Sequence, residues 1–191
     1  MIGYPYFEGQ REALAEVKKT RLIVIVSQAF AGEALTKLAV ESRAFFPGDV
    51  EVALKLHPGE YSGWEGVYPW LADSGVTIYA DDRVPLMQLQ AKAMVQIGCG
   101  STALYEGLAF GCRTYCLDVP GVEVVQPLLD AGLAEILDTG AAGIDLSPVS
   151  VEDTSGFFAS GWKTRLRETL QEIGLSGLMD AGIAESLGAD S

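Results

Sequence analysis

Apolar residues along this chain fall in short unbroken runs, separated by stretches of helical periodicity. The first run, Leu22-Ile23-Val24-Ile25-Val26, is mostly β-branched and carries no polar alternation. Such a run predicts a strand covered on both faces, as in a parallel sheet between helices. The pattern then repeats, with strands predicted at 50–56, 76–79, 94–97, 114–117 and 134–137. Helical stretches are predicted at 8–19, 32–46, 63–72, 84–93, 102–110, 122–131 and 162–173. In the second of these Leu35, Leu38, Ala39 and Ser42 share a face and Pro47-Gly48 ends the helix; in the last, Leu166, Leu170 and Ile173 do the same. Residues 139–148 are rich in Gly, Ala and Pro and predict a loop; the Gly-rich acidic tail from Gly174 is expected to fray. Six strands alternating with helices predict an α/β fold: a Rossmann-like, doubly wound, mostly parallel six-stranded sheet with helices on both faces.

The 191 residues suffice for one domain with a sizeable core, or a domain and an appendage. Hydrophobic residues make up 49% and charged ones 20%, which excludes a disordered acidic protein. With 13 Lys+Arg against 26 Asp+Glu the net charge is −13, which argues against nucleic acid held on a broad basic face. A small phosphate-bearing ligand needs only a few local donors and stays open. Cys99, Cys112 and Cys116 match no zinc framework, and His57 is the only histidine, so reduced, buried thiols are expected. No stretch approaches the ~20 apolar residues of a membrane span, and a soluble, cytoplasmic protein is expected.

Ligands of an open parallel sheet bind at the carboxyl ends of its strands. The loops to inspect are Ser27-Gln28-Ala29, His57-Pro58-Gly59-Glu60, Gly98-Cys99-Gly100-Ser101-Thr102 and Asp118-Val119-Pro120-Gly121. In the third, two glycines allow a tight turn, and Ser101 or Thr102 opens a helix. This reads either as a phosphate cradle or as an ordinary hydroxyl helix cap. The segment lacks the Lys of a P-loop and the third Gly of a dinucleotide fingerprint. His57, at a strand end, is placed to donate to a phosphate oxygen or to hydrogen-bond a nearby carbonyl. A catalytic triad is disfavoured, because no Gly-x-Ser-x-Gly elbow occurs and no histidine follows a candidate serine. Glu106 lies one turn beyond Thr102, where it would reach ribose hydroxyls. Lys55 reads as a strand-end charge pairing with Glu60 or Asp81, with no chemical role assigned. Trp64, Tyr68 and Trp70 read as core or domain-interface aromatics, and Asp81-Asp82 as a loop or helix cap.

Taken together, Lys55-Leu56-His57-Pro58-x-Glu60, Gly98-x-Gly100-Ser101-Thr102-Ala103-Leu104-Tyr105-Glu106 and Ala109-x-Gly111 resemble one family group. It is the C-terminal, nucleotide-binding half of GT-B glycosyltransferases of bacterial surface polysaccharides. The group includes sialyltransferases, polysialyltransferases, capsule Kdo transferases and CDP-glycerol glycerophosphotransferases. The resemblance covers residues 3–138. It implies that His57 and Pro58, with Ser101 and Thr102, hold the phosphate of a CMP- or CDP-linked sugar, His57 being the catalytic candidate. Gly98, Gly100, Glu106, Ser27 and Gln28 join the substrate-binding set, and no metal or cofactor is implied. Three regions follow: a lead-in segment with Gly3-Tyr4-Pro5 and a helix at 1–20, a Rossmann-like nucleotide-binding domain at 21–138, and a loop, helix and tail at 139–191.

A complete GT-B enzyme has two such domains, and the acceptor's general base lies in the N-terminal one. The resemblance therefore implies a donor-binding half whose partner domain sits in the same parent chain or in a partner subunit. Peripheral membrane association would come only through that parent enzyme, and the isolated chain would turn over little. The helix at 162–173 would pack back across the cleft, or lie elsewhere when the domain stands alone. Two other readings stay open: a half-domain like that of UDP-N-acetylglucosamine 2-epimerase, and a non-catalytic Rossmann-like interaction module.

Overall fold

The computed structural model describes residues 5–147, 149 and 161–174. Gly3 and Tyr4 of the expected lead-in, Pro148 and the tail beyond residue 174 lie outside the described residues. The strands are β1 (Thr20–Val26), β2 (Glu51–Lys55), β3 (Thr77–Tyr79), β4 (Ala93–Gly98), β5 (Arg113–Cys116) and β6 (Ala134–Ile136). The helices are α1 (Pro5–Ala13), α2 (Gly32–Phe45), α3 (Trp64–Val67), α4 (Leu86–Lys92), α5 (Ala103–Ala109), α6 (Gln126–Asp130) and α7 (Trp162–Glu172). The sheet runs in the order β3-β2-β1-β4-β5-β6, and every pair is parallel, not merely most of them. From β1 the chain winds outward through β2 and β3, returns to β4 on the other side of β1, and winds outward again. That reversal opens a crevice at the carboxyl ends of β1 and β4.

The unbroken apolar run of β1 is covered on both faces, with Ile23, Val24 and Ile25 fully buried. Ile23, Ile25, Leu54, Leu56 and Ile97 form one core with Leu35, Leu38 and Ala39 of α2, and Tyr68, Trp64 and Trp70 pack there too. On the opposite face Val24 and Ala53 meet Leu89, while Val26 meets Leu104, Leu108 and Leu128. Within this second layer lies a buried polar cluster. Gln96 Nε2 donates to the Leu104 carbonyl at 2.6 Å and to Thr114 Oγ1 at 2.8 Å. Gln90 Nε2 donates to Gln96 Oε1 at 3.0 Å and to the Ala103 carbonyl at 2.8 Å. The cluster ties α4, β4, α5 and β5 together.

Several expected helices come out differently. The stretch 63–72 breaks into α3 and a 3-10 turn, Pro69–Leu71, because Pro69 has no N–H to continue the ladder and pushes Tyr68 out of the helical region (φ −121°, ψ 59°). The stretch 122–131 likewise becomes a 3-10 turn, Val122–Val125, followed by α6, with Pro127 in its first turn. Helix α1 stops at Ala13 instead of running to residue 19. Lys19 is held elsewhere, its ammonium donating to the carbonyls of Gln90 at 3.0 Å and Ala93 at 2.5 Å. Helix α7 lies against α1, and the Gly161 N–H donates to Glu8 Oε1 at 2.9 Å. Among the described residues none of α7 lines the crevice at the sheet's carboxyl edge, a placement open to the helix when the domain stands alone.

All three cysteines are free and buried, and burial pushes each thiol up to about 11. Near neutral pH the folded chain is therefore expected to leave thiol reagents unreacted, releasing three equivalents only on unfolding. A thiol that titrates rapidly in the native protein would contradict that burial. Among the described residues no helix is long and apolar enough to cross a membrane.

Candidate functional site

A cleft of about 380 Å³ opens at the carboxyl edge of the sheet, between the ends of β1 and β2 and the first turns of α4 and α5. Its walls are largely apolar, from Val26, Leu56, Pro58, Pro85, Leu86 and Ala103. Its polar lining is Ser27 and Gln28 after β1, Lys55 and His57 around the end of β2, Ser101 before α5, and Tyr61 with Asp82 at one side. An apolar pocket with a few convergent polar groups at the switch point of a doubly wound sheet is the usual form of a small-ligand site.

His57 is held by a capping box. Pro58 keeps it extended at φ −66°, ψ 144°, its N–H donates to Glu60 Oε2 at 3.0 Å, and its Nδ1 accepts from the Gly59 N–H at 3.1 Å. The ring thus accepts from a backbone N–H and does not donate to a carbonyl. With the Nδ1 lone pair engaged, the neutral ring carries its proton on Nε2, where it is available to an acceptor in the cleft.

Of the two partners expected for Lys55, the structure shows Asp81. The lysine ammonium does not pair with Glu60; it donates to the Asp81 backbone carbonyl and sits 5.3 Å from the centre of the Tyr61 ring. Lys55 is 7% exposed, and burial lowers its pKa below the ordinary lysine value of 10.5, against the opposing pull of Asp82 and Asp81. It is the one cationic side chain among the described residues of the cleft lining. An ammonium has three N–H groups, and the described residues supply one oxygen acceptor. Tyr61 is fixed beside it, donating to Asp82 Oδ1 at 2.8 Å, with its phenol pushed up to about 12 by burial and by that carboxylate. Asp81 closes a turn by accepting from the Arg83 N–H at 3.0 Å, as expected of a loop aspartate.

Ser27 is 2% exposed, and its Oγ has no hydrogen-bond partner among the described residues, although its N–H donates to the Lys55 carbonyl at 2.9 Å. A buried hydroxyl left unpaired costs about 1–3 kcal/mol.

Residues 98–106 divide. Ser101, 7% exposed, lines the cleft, and its Oγ accepts from the Ala103 N–H at 3.3 Å. Thr102 is exposed, already helical at φ −62°, and makes no capping bond. The two glycines serve packing: a Cβ on Gly98 would meet Leu104 Cδ2 at 3.1 Å. One on Gly100, whose φ is +47°, would fall 2.4 Å from the Gly121 carbonyl oxygen. Glu106 is half-buried, with no hydrogen-bond partner among the described residues, and burial raises its carboxyl pKa. It does not line the cleft, because three residues along α5 carry it about 4.5 Å down the axis from the helix start. Of the expected set, then, Ser27, Gln28, His57, Pro58 and Ser101 come together. Gly98, Gly100, Thr102 and Glu106 lie outside the cleft wall. Lys55, Tyr61 and Asp82 join it without having been assigned a role.

Fold and site together define a parallel α/β domain with a largely apolar cleft at its switch point. No family model matches the chain, and no curated protein matches it. Solved structures similar to it include the C-terminal CMP-Kdo binding domain of WaaA from Acinetobacter baumannii, at 14% identity and TM-score 0.48, covering 91% of this chain and 96% of that one. The spinosyn rhamnosyltransferase SpnG is similar at 16% identity and TM-score 0.44, covering 83% of this chain and 39% of that one. The glycotransferase of kitacinnamycin is similar at 19% identity and TM-score 0.44, covering 88% of this chain and 43% of that one. The fold class itself rests on the strand order.

Proposed function

We propose that this chain is the donor-binding domain of a glycosyltransferase in surface polysaccharide synthesis, holding a CMP- or CDP-linked sugar. One observation carries the reading: Lys55, His57 and Ser101 line a single cleft at the switch point. Three donors on one mostly apolar cleft suit a phosphate whose attached groups lie against the walls. The motif pair His57-Pro58 and Ser101-Thr102 supports the same ligand class.

Breaking a sugar–phosphate bond builds negative charge on the departing nucleotide. Donors already aimed at that charge lower the barrier without reorganising at the moment of reaction. Lys55 would balance the charge, and His57 would donate its Nε2 proton as a hydrogen bond or transfer it to the leaving phosphate. The acceptor's base would come from a further domain, in the same parent chain or a partner subunit, with any membrane association through that parent enzyme.

Titration of CMP and CDP followed by NMR tests the reading. The expected result is shifts at His57, Lys55 and Ser101 at nucleotide concentrations on the order of millimolar or below. Silence there refutes it. A clear preference for uridine nucleotides would favour the epimerase-like alternative, and silence together with a dimer that buries the cleft would favour an interaction module.

A further inference from the structure

We infer that Glu60 is a positioning residue, which acts through the main chain to set the nitrogen that His57 presents to the cleft. The inference deepens the proposed function and rests on the reading of His57 as a donor to the ligand. Glu60 is a buried carboxylate, 8% exposed, in the 3-10 turn that follows β2. A buried carboxylate is costly unless its oxygens are bonded. Here both are: Oε2 accepts from the His57 N–H at 3.0 Å, and Oε1 accepts from Tyr68 Oη at 2.5 Å. No Lys or Arg neutralises it among the described ion pairs. The group is held by neutral donors, and one of them is the backbone of the histidine.

The surroundings are shaped to that contact. A Cβ on Gly32, the first residue of α2, would lie 2.0 Å from Tyr68 Oη and 2.5 Å from Glu60 Oε1, so only glycine leaves room for the pair. At Gly59 a Cβ would stand 3.3 Å from His57 Nδ1, which measures how closely the imidazole folds onto the turn. The start of α2, the turn after β2 and Tyr68 thus accommodate one carboxylate. Its effect at the cleft is indirect. By closing the turn it brings the Gly59 N–H to His57 Nδ1, which leaves the Nε2 proton facing outward.

Because His57 is the only histidine, its ring nitrogens can be read in the full chain without ambiguity by long-range 1H–15N NMR. The neutral ring of the ligand-free wild type is expected to be wholly in the Nε2–H form, with Nδ1 and the Gly59 amide proton shifted as bonded partners. Glu60→Ala is expected to return those signals toward free imidazole and to weaken CMP binding about tenfold. Glu60→Gln, which still offers an oxygen to the His57 N–H, is expected to restore both to within about twofold. Mixed tautomers in the wild type, or an unchanged ring spectrum in folded Glu60→Ala, would overturn the assignment. Should Glu60→Ala fail to fold, Glu60→Met fills the space without an acceptor and is read in the same way, while the wild-type tautomer decides independently of any variant. The ring spectrum needs no ligand, so a protein with the expected tautomer that binds no nucleotide refutes the proposed function and leaves the positioning by Glu60 standing.

Discussion

Lys55→Met is expected to cost the cleft its anionic ligand while leaving the fold at least as stable. A hydrogen bond from a charged donor contributes about 1.5–3 kcal/mol, so nucleotide affinity should fall about 10–100-fold. Stability should move the other way. Lys55 is 7% exposed and its ammonium is offset by one backbone carbonyl and an aromatic face, so replacing it with an apolar chain of similar length removes a desolvation cost.

The pH dependence has a definite sign. Burial lowers the pKa of Lys55 below 10.5 in the folded chain, so the folded state holds this proton less tightly than the unfolded one. The charged lysine therefore opposes folding at neutral pH, and that penalty fades as pH rises through its folded pKa. A bound phosphate prefers the ammonium. Wild-type nucleotide affinity should accordingly decline as pH climbs from neutral toward 10.5, and the decline should vanish in Lys55→Met. Calorimetric titration of both proteins across that range, beside their thermal unfolding, reads both effects. Equal affinities would remove Lys55 from the site.

Gly107→Ala is expected to be the most damaging conservative substitution in the domain. A Cβ there would lie 1.9 Å from Gln96 Oε1 and 2.3 Å from its Cδ. Gln96 is fully buried and cannot swing aside without releasing Leu104, Thr114 and Gln90. Overpacking costs about 1–3 kcal/mol and each orphaned polar group about 1–3 kcal/mol more, so a total on the order of 3–5 kcal/mol is expected. That is a large share of a stability of about 5–15 kcal/mol and should lower the melting temperature by roughly 10 °C. The cause is tested by a double-mutant cycle in urea. Gln96→Ala destabilises by itself, but in that background Gly107→Ala should be neutral or favourable, because alanine is the better helix former by about 1 kcal/mol. Equal costs in both backgrounds would mean that the clash is not with Gln96.

Much of this architecture is legible in the sequence. The run at 22–26 has to be a doubly covered strand, since five apolar residues in a row would otherwise meet water, and its neighbours repeat the same logic. The break at 63–72 is legible too, in Pro69, whose missing N–H outweighs the helical periodicity around it. Site residues could be read as far as strand ends could be counted: His57, Pro58, Ser27, Gln28 and Ser101 come together because each follows a parallel strand. Gly98 and Gly100 resisted the same reading. Their side-chain space is taken by Leu104 and by Gly121, the second of them 21 positions away, and nothing local distinguishes that from room left for a ligand.

By itself, then, the sequence determined the alternation of strands and helices, the carboxyl-end loops that carry the chemistry, and an acidic balance that leaves phosphate recognition to local donors. Those follow from periodicity and composition, which each residue expresses through its nearest neighbours. Only the tertiary structure decided that Lys55 is buried in the cleft beneath Tyr61 and the 81–82 loop, that the Ser27 hydroxyl stands unpaired among the described residues, that Glu106 lies down its helix away from the opening, and that Glu60 grips the backbone of His57. The burial of Lys55 depends on a contact between elements distant in the chain, whereas the His57–Glu60 bond spans three residues and needs only the conformation of its turn. Burial, and with it the cost of an unpaired charge or hydroxyl, is set by what packs across the gap and not by the residues on either side.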